Sequence, residues 1–599
     1  MRGDAPDPGR PRALVVARRG RFRVGEPLFE RGPQVNLARG RVDVGPGRIA
    51  LCRIDRRGGQ PIADLGRADR ARDVVAALVA DRGLRPTFRD RHENEARSAV
   101  ARLERDAGPR RDLTAEPTFT VDPASARDFD DAVSARPEGD GFRVWVHIAD
   151  VAAHVKPESG LDREALTRGN STYAPGTVSP MLPAVLSSDA CSLNPGVERL
   201  AVTAEIELSA SGEPRSASFY RSRIRSDARL DYDHLDRVFA GAERAPDPVA
   251  AAIATARQAT AAIAGARRGA GLAVSGSEPE FTFTDAGDVE AARALVQTEA
   301  HRLIERLMIL TNERVAELLE RKRMPTLYRV HEQPDPARVR LLIDQLASLG
   351  VPTPALAKTA GPTEAGAAAI EASRLVAIEA ERRGHGAASL SSLVLRALKA
   401  ARYSESNLGH AGLASPAYAH FTSPIRRYPD LIAHRGLLAA IDGGEERPGI
   451  HEVAGAATHC SDTERDSMRI ERDGDDICAA FLLQRELFER GPETAFAGEV
   501  SGVIGAGAFI RFGGEHADVY EGFLPARRMP GERFEINELE SALIGVRSGR
   551  RFGIGDAVEV RVDAVEPARG RVDLSTGGER GERTRQRAGG RSRRGRGRR

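Results

Sequence analysis

The sequence predicts a multidomain α+β protein flanked at both ends by small β-barrels. Three observations predict it. At 599 residues the chain is too long for one hydrophobic core, and three or four domains are expected. Short β-rich segments broken by Gly and Pro lie near both ends, at residues 13–64 and 494–575. Between them, after about residue 245, strand patterns give way to Ala-rich and amphipathic helical stretches.

Composition narrows the class. Hydrophobic content of 41% and charged content of 29% are those of a water-soluble globular protein. A net charge of +3 argues against a uniformly basic nucleic-acid binder, so local asymmetry carries more information than the sum. Cys52, Cys191, Cys460 and Cys478 stand far apart with no CxxC pair, which disfavours a zinc ribbon and a disulfide scaffold and fits a reducing cytoplasm. The opening MRGDAPDPGRPR has no apolar core of a secretion signal, and no apolar run is long enough to span a bilayer. A cytoplasmic chain without membrane contact is expected. No protein partner is legible, and a monomer is expected.

In chain order, residues 1–12 are Pro, Gly and charge, and are expected to be disordered. Residues 13–67 carry the strand-like pieces ALVVA, RGRVDV and RIALCRI, enough for about one barrel, with no aromatic RNA-stacking motif legible in them. Residues 68–111 read as a helical connector. The core, 112–445, opens with TFTVDPASARDFDDAVS at 118–134, which places Asp122, Asp128, Asp130 and Asp131 in one short segment. Carboxylates this close repel, and at least one would keep its proton above the usual range unless a cation intervened. Mg²⁺ relieves such repulsion by taking one or two carboxylates together with water and substrate phosphate. The bland alternative is a solvated acidic turn.

FRVWVHIADVAAHV follows as a strand pair around the only Trp, Trp145, a core residue; His147 reads as a strand residue rather than a metal ligand. Residues 290–322 read as one long amphipathic helix with Leu295, Ile304, Leu307, Met308, Leu310 and Val315 on its apolar face. In TSPIRRYPD the helix is expected to start near Pro429, with Asp430 in its first turn. That leaves Arg426 and Arg427 in a loop, free to aim at a ligand. A planar guanidinium suits a phosphate oxygen, although a surface basic pair is the default reading. Residues 446–493 form a helical closing segment. Residues 494–576 give about five short strands with Gly turns, and 577–599 form an Arg/Gly-rich tail. The tail is expected to be disordered and to hold phosphate without sequence preference.

VDPASARDFDDAVS, then RGNSTYAPG with PMLP and CSLNPG, then YRVHEQPDP and TSPIRRYPD, resemble the signatures of the RNB family, the RNase II and RNase R exoribonucleases. The resemblance implies a core of mixed sheet wrapped by helices, a reduced cold-shock-like OB barrel before it and an S1-type OB domain after it. It implies Mg²⁺, as one or two ions, held by Asp122, Asp128, Asp130 and Asp131, with Asp130 most directly tied to the chemistry and Arg426 beside it. Tyr173 corresponds to a tyrosine that stacks on RNA near its 3′ end, Tyr232 to one that contacts substrate, and Glu305 to a glutamate that reads the 2′-OH. Read from the residues alone, Tyr173 is a buried tyrosine with a bonded hydroxyl and Glu305 lies on a solvated helix face. Arg427 and Glu471 fall beside the site, although SMRIERD around Glu471 departs from the usual family wording. Phe509, Phe512 and Phe523 are where the S1-type domain places rings that face RNA or its own core. Ser275 stands where the family has an aromatic, which implies a weaker hold on the terminal bases or another ring, such as Phe281, in its place.

The implied activity is processive 3′-to-5′ hydrolysis of single-stranded RNA to nucleoside 5′-monophosphates. The rival is a catalytically silent RNA-binding regulator on the same scaffold, which would carry a damaged acidic set. Endonucleolysis is a second rival, and RNase II-like and RNase R-like behaviour both stay open.

Overall fold

A computed structural model describes all residues except 1–9, 39, 41, 274–277, 514–518 and 577–599. The expectations on residues 1–9, on Ser275 and on the basic tail lie outside the described residues. Arg10 to Arg12, expected as disordered, are fixed: Arg10 Nε donates to the carbonyl of Asp81 at 2.6 Å, and Arg12 opens the first strand.

That strand, Arg12–Arg19, sits at the centre of a five-stranded sheet with Phe22–Pro27 and Val35–Asn36 on one side and Arg48–Asp55 and Gly58–Arg67 on the other. A bridge between Leu37 and Gly59 brings the two edges together and rolls the sheet around Leu14, Val16, Val44, Ala50 and Cys52. An aromatic that the sequence reading missed stands on this barrel. Phe22, at the hairpin tip, is 58% exposed, and the Arg21 guanidinium lies 5.1 Å over its ring.

The central sheet has seven strands. Asp131–Glu138, Gly141–Ala149, Glu198–Leu208 and Pro214–Arg225 run antiparallel. Phe119–Asp122 and Ala228–Asp231 form one end as a parallel pair, and Arg111–Asp112 forms the other. Gly141–Ala149 is almost continuously buried, because sheet and helices cover both its faces. The expected strand pair here is a single strand followed by one helical turn, Val151–His154. Asp150 makes the switch: its carboxylate accepts from the Ala153 amide as an N-cap. Trp145 is core, and His147 is buried between Ser134 Oγ at 3.1 Å and Thr203 Oγ1 at 2.8 Å.

The expected helix over 290–322 is also corrected. Val289–Leu295 is a strand paired with Glu278–Phe283, and the helix is Glu299–Arg321, capped by Thr298. The alternation in VEAARAL suits a hairpin, and the turn at Gly287, with φ +91°, closes it. Leu295 therefore lies on the exposed strand end, not on a helix face.

Two helices frame the site. Tyr428–Ala440 is almost wholly buried against the central core. Ile450–Arg490 runs 41 residues from that core to the C-terminal barrel. The barrel closes through Ala495–Ile504, Gly507–Phe512, Tyr520–Pro525, Arg571–Thr576 and Ala557–Glu566. The three phenylalanines singled out in the sequence, Phe509, Phe512 and Phe523, divide. Phe512 is in the core, whereas Phe509 is 37% exposed with its ring 5.2 Å from Phe523. The four cysteines are buried and free. Among the described residues no helix is long and apolar enough to cross a membrane.

Candidate active site

The acidic turn joins two strands. Asp122 ends Phe119–Asp122, Asp131 begins Asp131–Glu138, and Asp128 and Asp130 lie between them. A second loop clamps this turn from behind. Ser192 Oγ accepts from the Phe129 amide at 3.0 Å and donates to the Arg127 carbonyl at 3.0 Å, and the Leu193 amide donates to the Phe129 carbonyl at 3.0 Å. Phe129 is buried under the guanidinium of Arg229, which also donates to the Ala124 carbonyl at 2.8 Å. The ring inside the acidic run thus anchors the turn, leaving Asp122, Asp128 and Asp131 half-buried and Asp130 buried.

The arginine loop meets the turn at Asp130. The Ile425 amide donates to Asp130 Oδ1 at 2.8 Å, and Arg426 Nε lies 3.4 Å from Oδ2. Arg426 is 48% exposed, so its guanidinium faces both the carboxylate and solvent. Arg427 behaves differently, and here the expectation of two free arginines is corrected. Its Nε and Nη2 donate to both oxygens of Asp430 at 2.8 and 2.7 Å. Asp430 is fully buried and also accepts from the Ser423 amide at 2.8 Å. A buried carboxylate demands such a partner, so Arg427 is held as a counterion. The helix begins at Tyr428 with Pro429 in its first turn.

A strap of residues 169–173 binds loop to helix. The Ser171 amide donates to the Arg426 carbonyl at 2.9 Å, and the Tyr428 amide to the Gly169 carbonyl at 2.9 Å. Asn170 Nδ2 and Thr172 Oγ1 each lie 2.8 Å from Ser467 Oγ on the long helix, and the Tyr173 amide donates to Glu471 Oε1 at 2.7 Å. Tyr173 is 39% exposed, and its hydroxyl donates to Asp128 Oδ2 at 2.6 Å. The ring therefore stands at the mouth of the site rather than in the core. Tyr232 stacks on His301 with centroids 3.8 Å apart. Burial first, then the charges of Asp131 and Asp122, push its phenol up, which places Tyr232 within their field. Glu305 lies one turn beyond His301 on the exposed side of the same helix, and no contact joins it to the acidic turn among the described residues.

The electrostatics separate the acids from an ordinary solvated turn. Burial, then Asp131, pushes Asp122 up to about 8; burial pushes Asp131 up to about 6 against the opposing pull of Arg426 and Arg427. Burial holds Asp130 well above the usual carboxylate range despite Arg426. Asp122 Oδ2 and Asp130 Oδ2 are buried acceptors without a hydrogen-bond donor, the Arg426 contact being an ion pair only. Buried carboxylate oxygens without a donor, on acids that retain their protons, fit a divalent cation. Among the described residues no group of three or more His, Cys, Asp or Glu side chains is arranged to hold a metal ion, so the four aspartates do not converge on one point. The donor set suits an ion that takes only part of its shell from protein, as Mg²⁺ does.

Beside the turn lies a cleft of ≈ 220 Å³, lined by Tyr173, Arg426, Arg427, Tyr403, Glu464 and Glu471 among others. Tyr173 and Arg426 form the wall between cleft and acids. Sequence reasoning missed Asp430 as the partner of Arg427, Ser192 as the clamp on the turn, and Tyr403. Asp430 three residues after Arg427, in RRYPD, was the available signal for the first.

The RNB domain model matches residues 110–443 and the S1 RNA binding domain model matches 491–577. The chain belongs to the RNB family. Ribonuclease R of Escherichia coli (strain K12) is 35% identical to this RNB chain over 482 residues, 78% of this chain and 57% of the relative. The chain thus spans about half the length of the curated relatives it matches. The structure of Mycoplasma genitalium RNase R in complex with ribose methylated single-stranded RNA superposes with a TM-score of 0.84, at 25% identity, covering 95% of this chain and 90% of that one. Yeast Ssd1, a pseudonuclease, shares the RNB fold with a TM-score of 0.64 at 16% identity, over 90% of this chain and 68% of its own.

Proposed function

We propose that this chain is an Mg²⁺-dependent exoribonuclease that hydrolyses single-stranded RNA processively from the 3′ end, releasing nucleoside 5′-monophosphates. One observation carries the reading. A half-exposed guanidinium, Arg426, stands against a buried carboxylate, Asp130, in a turn where Asp122 and Asp130 each keep one buried oxygen without a hydrogen-bond donor. Family membership makes RNA the expected substrate.

Asp122, Asp128, Asp130 and Asp131 are the residues that would hold the ion or ions. What a bound divalent cation supplies is neutralised phosphate charge and a more acidic attacking water. Arg426 stabilises the charge that grows on the phosphoryl oxygens, from a loop pre-set by Asp430 and the strap. Tyr173 offers its exposed ring to a terminal base, with its hydroxyl tied to Asp128. Tyr232, in the field of Asp131 and Asp122, and Glu471, which accepts from the Tyr173 amide, would contact the ribose ends, and Glu305 would read a 2′-OH from the exposed face of its helix. Arg427 acts on RNA only indirectly, through the loop it braces. The ring pair Phe509–Phe523 on the S1 barrel and Phe22 among arginines on the first barrel gather single strands by stacking and charge. Phe281, proposed above as a substitute clamp, packs partly into the core shared with the S1 barrel, which disfavours that role.

The rival is an RNA-binding protein without catalysis on this scaffold. The complete acidic set and Arg426 favour the enzyme. The test is a product ladder from 5′-labelled single-stranded RNA with Mg²⁺ and with EDTA. Conversion of the labelled strand to a short 5′ fragment with Mg²⁺ alone, with few intermediates, is the expected result, and a full ladder would mean distributive rather than processive shortening. Binding without shortening supports the rival, and internal fragments would indicate endonucleolysis.

A further inference from the structure

The arginine loop is held at its C-terminal end by Asp430. Its N-terminal end is held by a second set of contacts that the proposed mechanism does not use. The Phe421 amide donates to Asn312 Oδ1 at 2.9 Å, and the Phe421 carbonyl lies 2.9 Å from His434 Nε2, whose ring stacks on Phe421 at 4.1 Å. One residue earlier, the His420 side chain reaches out of the loop. Its Nδ1 shares a hydrogen bond of 2.8 Å with the hydroxyl of Tyr403, with the two rings edge to face at 5.6 Å.

Tyr403 is placed to pass that contact on. Its backbone amide donates to Ser461 Oγ on the long helix at 3.0 Å, and the Arg329 guanidinium covers its ring at 4.9 Å. Although it is almost fully buried, its ring forms part of the cleft wall beside Arg426 and Arg427. The Tyr403–His420 bond therefore joins three things: the long helix that holds the strap, the cleft wall, and the root of the loop that carries Arg426. Arg426 contacts Asp130 at only 3.4 Å, and a misplacement of about 1 Å in a reacting geometry can cost ~10²-fold in rate.

We propose that Tyr403 and His420 are a positioning pair that sets where Arg426 stands relative to Asp130, an assignment that rests on the nuclease reading. Neither residue touches the reacting phosphate; both act through the loop.

The test combines kinetics with hydrogen exchange on the full chain. Tyr403→Phe keeps the ring and the cleft wall but loses the hydroxyl. It should lower kcat on single-stranded RNA by about tenfold, one net hydrogen bond's worth, with KM within about twofold. His420→Phe should lose a similar factor. The double variant should be no slower than the slower single, because both remove the same bond. His420→Asn, which keeps a bonding atom near the place of Nδ1, should recover part of the loss. Amide exchange over residues 421–428, measured without RNA, should quicken in Tyr403→Phe. Wild-type kcat in Tyr403→Phe, losses that multiply in the double variant, or unchanged exchange over 421–428 would each overturn the pairing. If the wild-type chain does not degrade RNA, the nuclease reading falls, and the exchange comparison still decides whether the bond sets the loop.

Discussion

The acidic turn and the arginine loop touch at Asp130, yet they are built on opposite principles. In the loop almost every polar group has a partner: Asp430 takes Arg427 and the Ser423 amide, the strap takes the backbone of Arg426 and Tyr428, and Asn312 takes Phe421. In the turn the backbone is clamped just as firmly, but the carboxylates are not satisfied. Asp122 and Asp130 each keep a buried oxygen without a donor, and three of the four acids are pushed upward in pKa. The contrast separates a scaffold from a site. A loop that exists to place one side chain closes its own hydrogen bonds; a turn that exists to bind something leaves them open.

The largest expected effect tests the open side. Asp130→Asn should reduce RNA degradation by at least ~10²-fold while RNA affinity changes little, because the amide keeps the Ile425 contact but gives up the charge. Gel-shift and product-ladder measurements on the same preparation check this. Loss of binding together with activity would make the turn a structural element like the loop.

The next effect tests the closed side. Arg427→Ala leaves Asp430 buried and unpaired, which should cost ~3–5 kcal/mol of stability in the central domain. Arg426→Ala removes a half-exposed group and should leave the melting temperature near wild type while lowering kcat sharply. Calorimetry and steady-state kinetics on the two variants should therefore give crossed results. If both arginines instead reduce activity at unchanged stability, Arg427 contacts RNA directly.

The pH dependence separates the two regions again. Burial and the neighbouring acid push Asp122 up, to about 8, and burial pushes Asp131 up, to about 6, so the pair holds protons above the unfolded range near 4. Over that interval the folded state holds protons that the unfolded state has released. Stability contributed by the turn is then lost as pH rises from about 4 towards 8. In EDTA the melting temperature should fall across this range, and Mg²⁺ should flatten the slope by replacing the protons. An EDTA profile that is flat from pH 5 to 8 would mean that the acids are already compensated by protein.

How much of this was legible in the sequence follows the same division. The four aspartates and Arg426 stood out because phosphodiester chemistry needs those residue types and motif wording fixes their spacing; that Asp130 and Arg426 meet is what the fold adds. The barrels were legible because Gly turns and short strands are local signals. The pairing of Arg427 was not legible because it depends on Asp430 being buried, which is a property of packing and not of the dipeptide RR. The helix assigned to 290–322 failed because apolar spacing in VEAARAL satisfies a strand as well as a helix, and only pairing with Glu278–Phe283 decides between them. Phe22 escaped notice because RGRFR reads as basic, while exposure of the ring is set by its place at a hairpin tip.

The smallest effect concerns how the turn is kept open. Ser192 Oγ makes two hydrogen bonds to the backbone of the acidic turn, one as acceptor from the Phe129 amide and one as donor to the Arg127 carbonyl. Ser192→Ala removes both and leaves that amide buried without its partner. At about 0.5–1.5 kcal/mol per bond, a loss of ~1–3 kcal/mol is expected in stability. The turn would relax toward pairing its own carboxylates with the freed amide, so the Mg²⁺ concentration needed for half-maximal activity should rise a few-fold while kcat at saturating Mg²⁺ stays close to wild type. A titration of activity against Mg²⁺ reads this directly. If kcat at saturation falls instead and the half-maximal concentration does not move, the clamp serves the placement of Asp130 against Arg426, and the turn is as rigidly preset as the loop it faces.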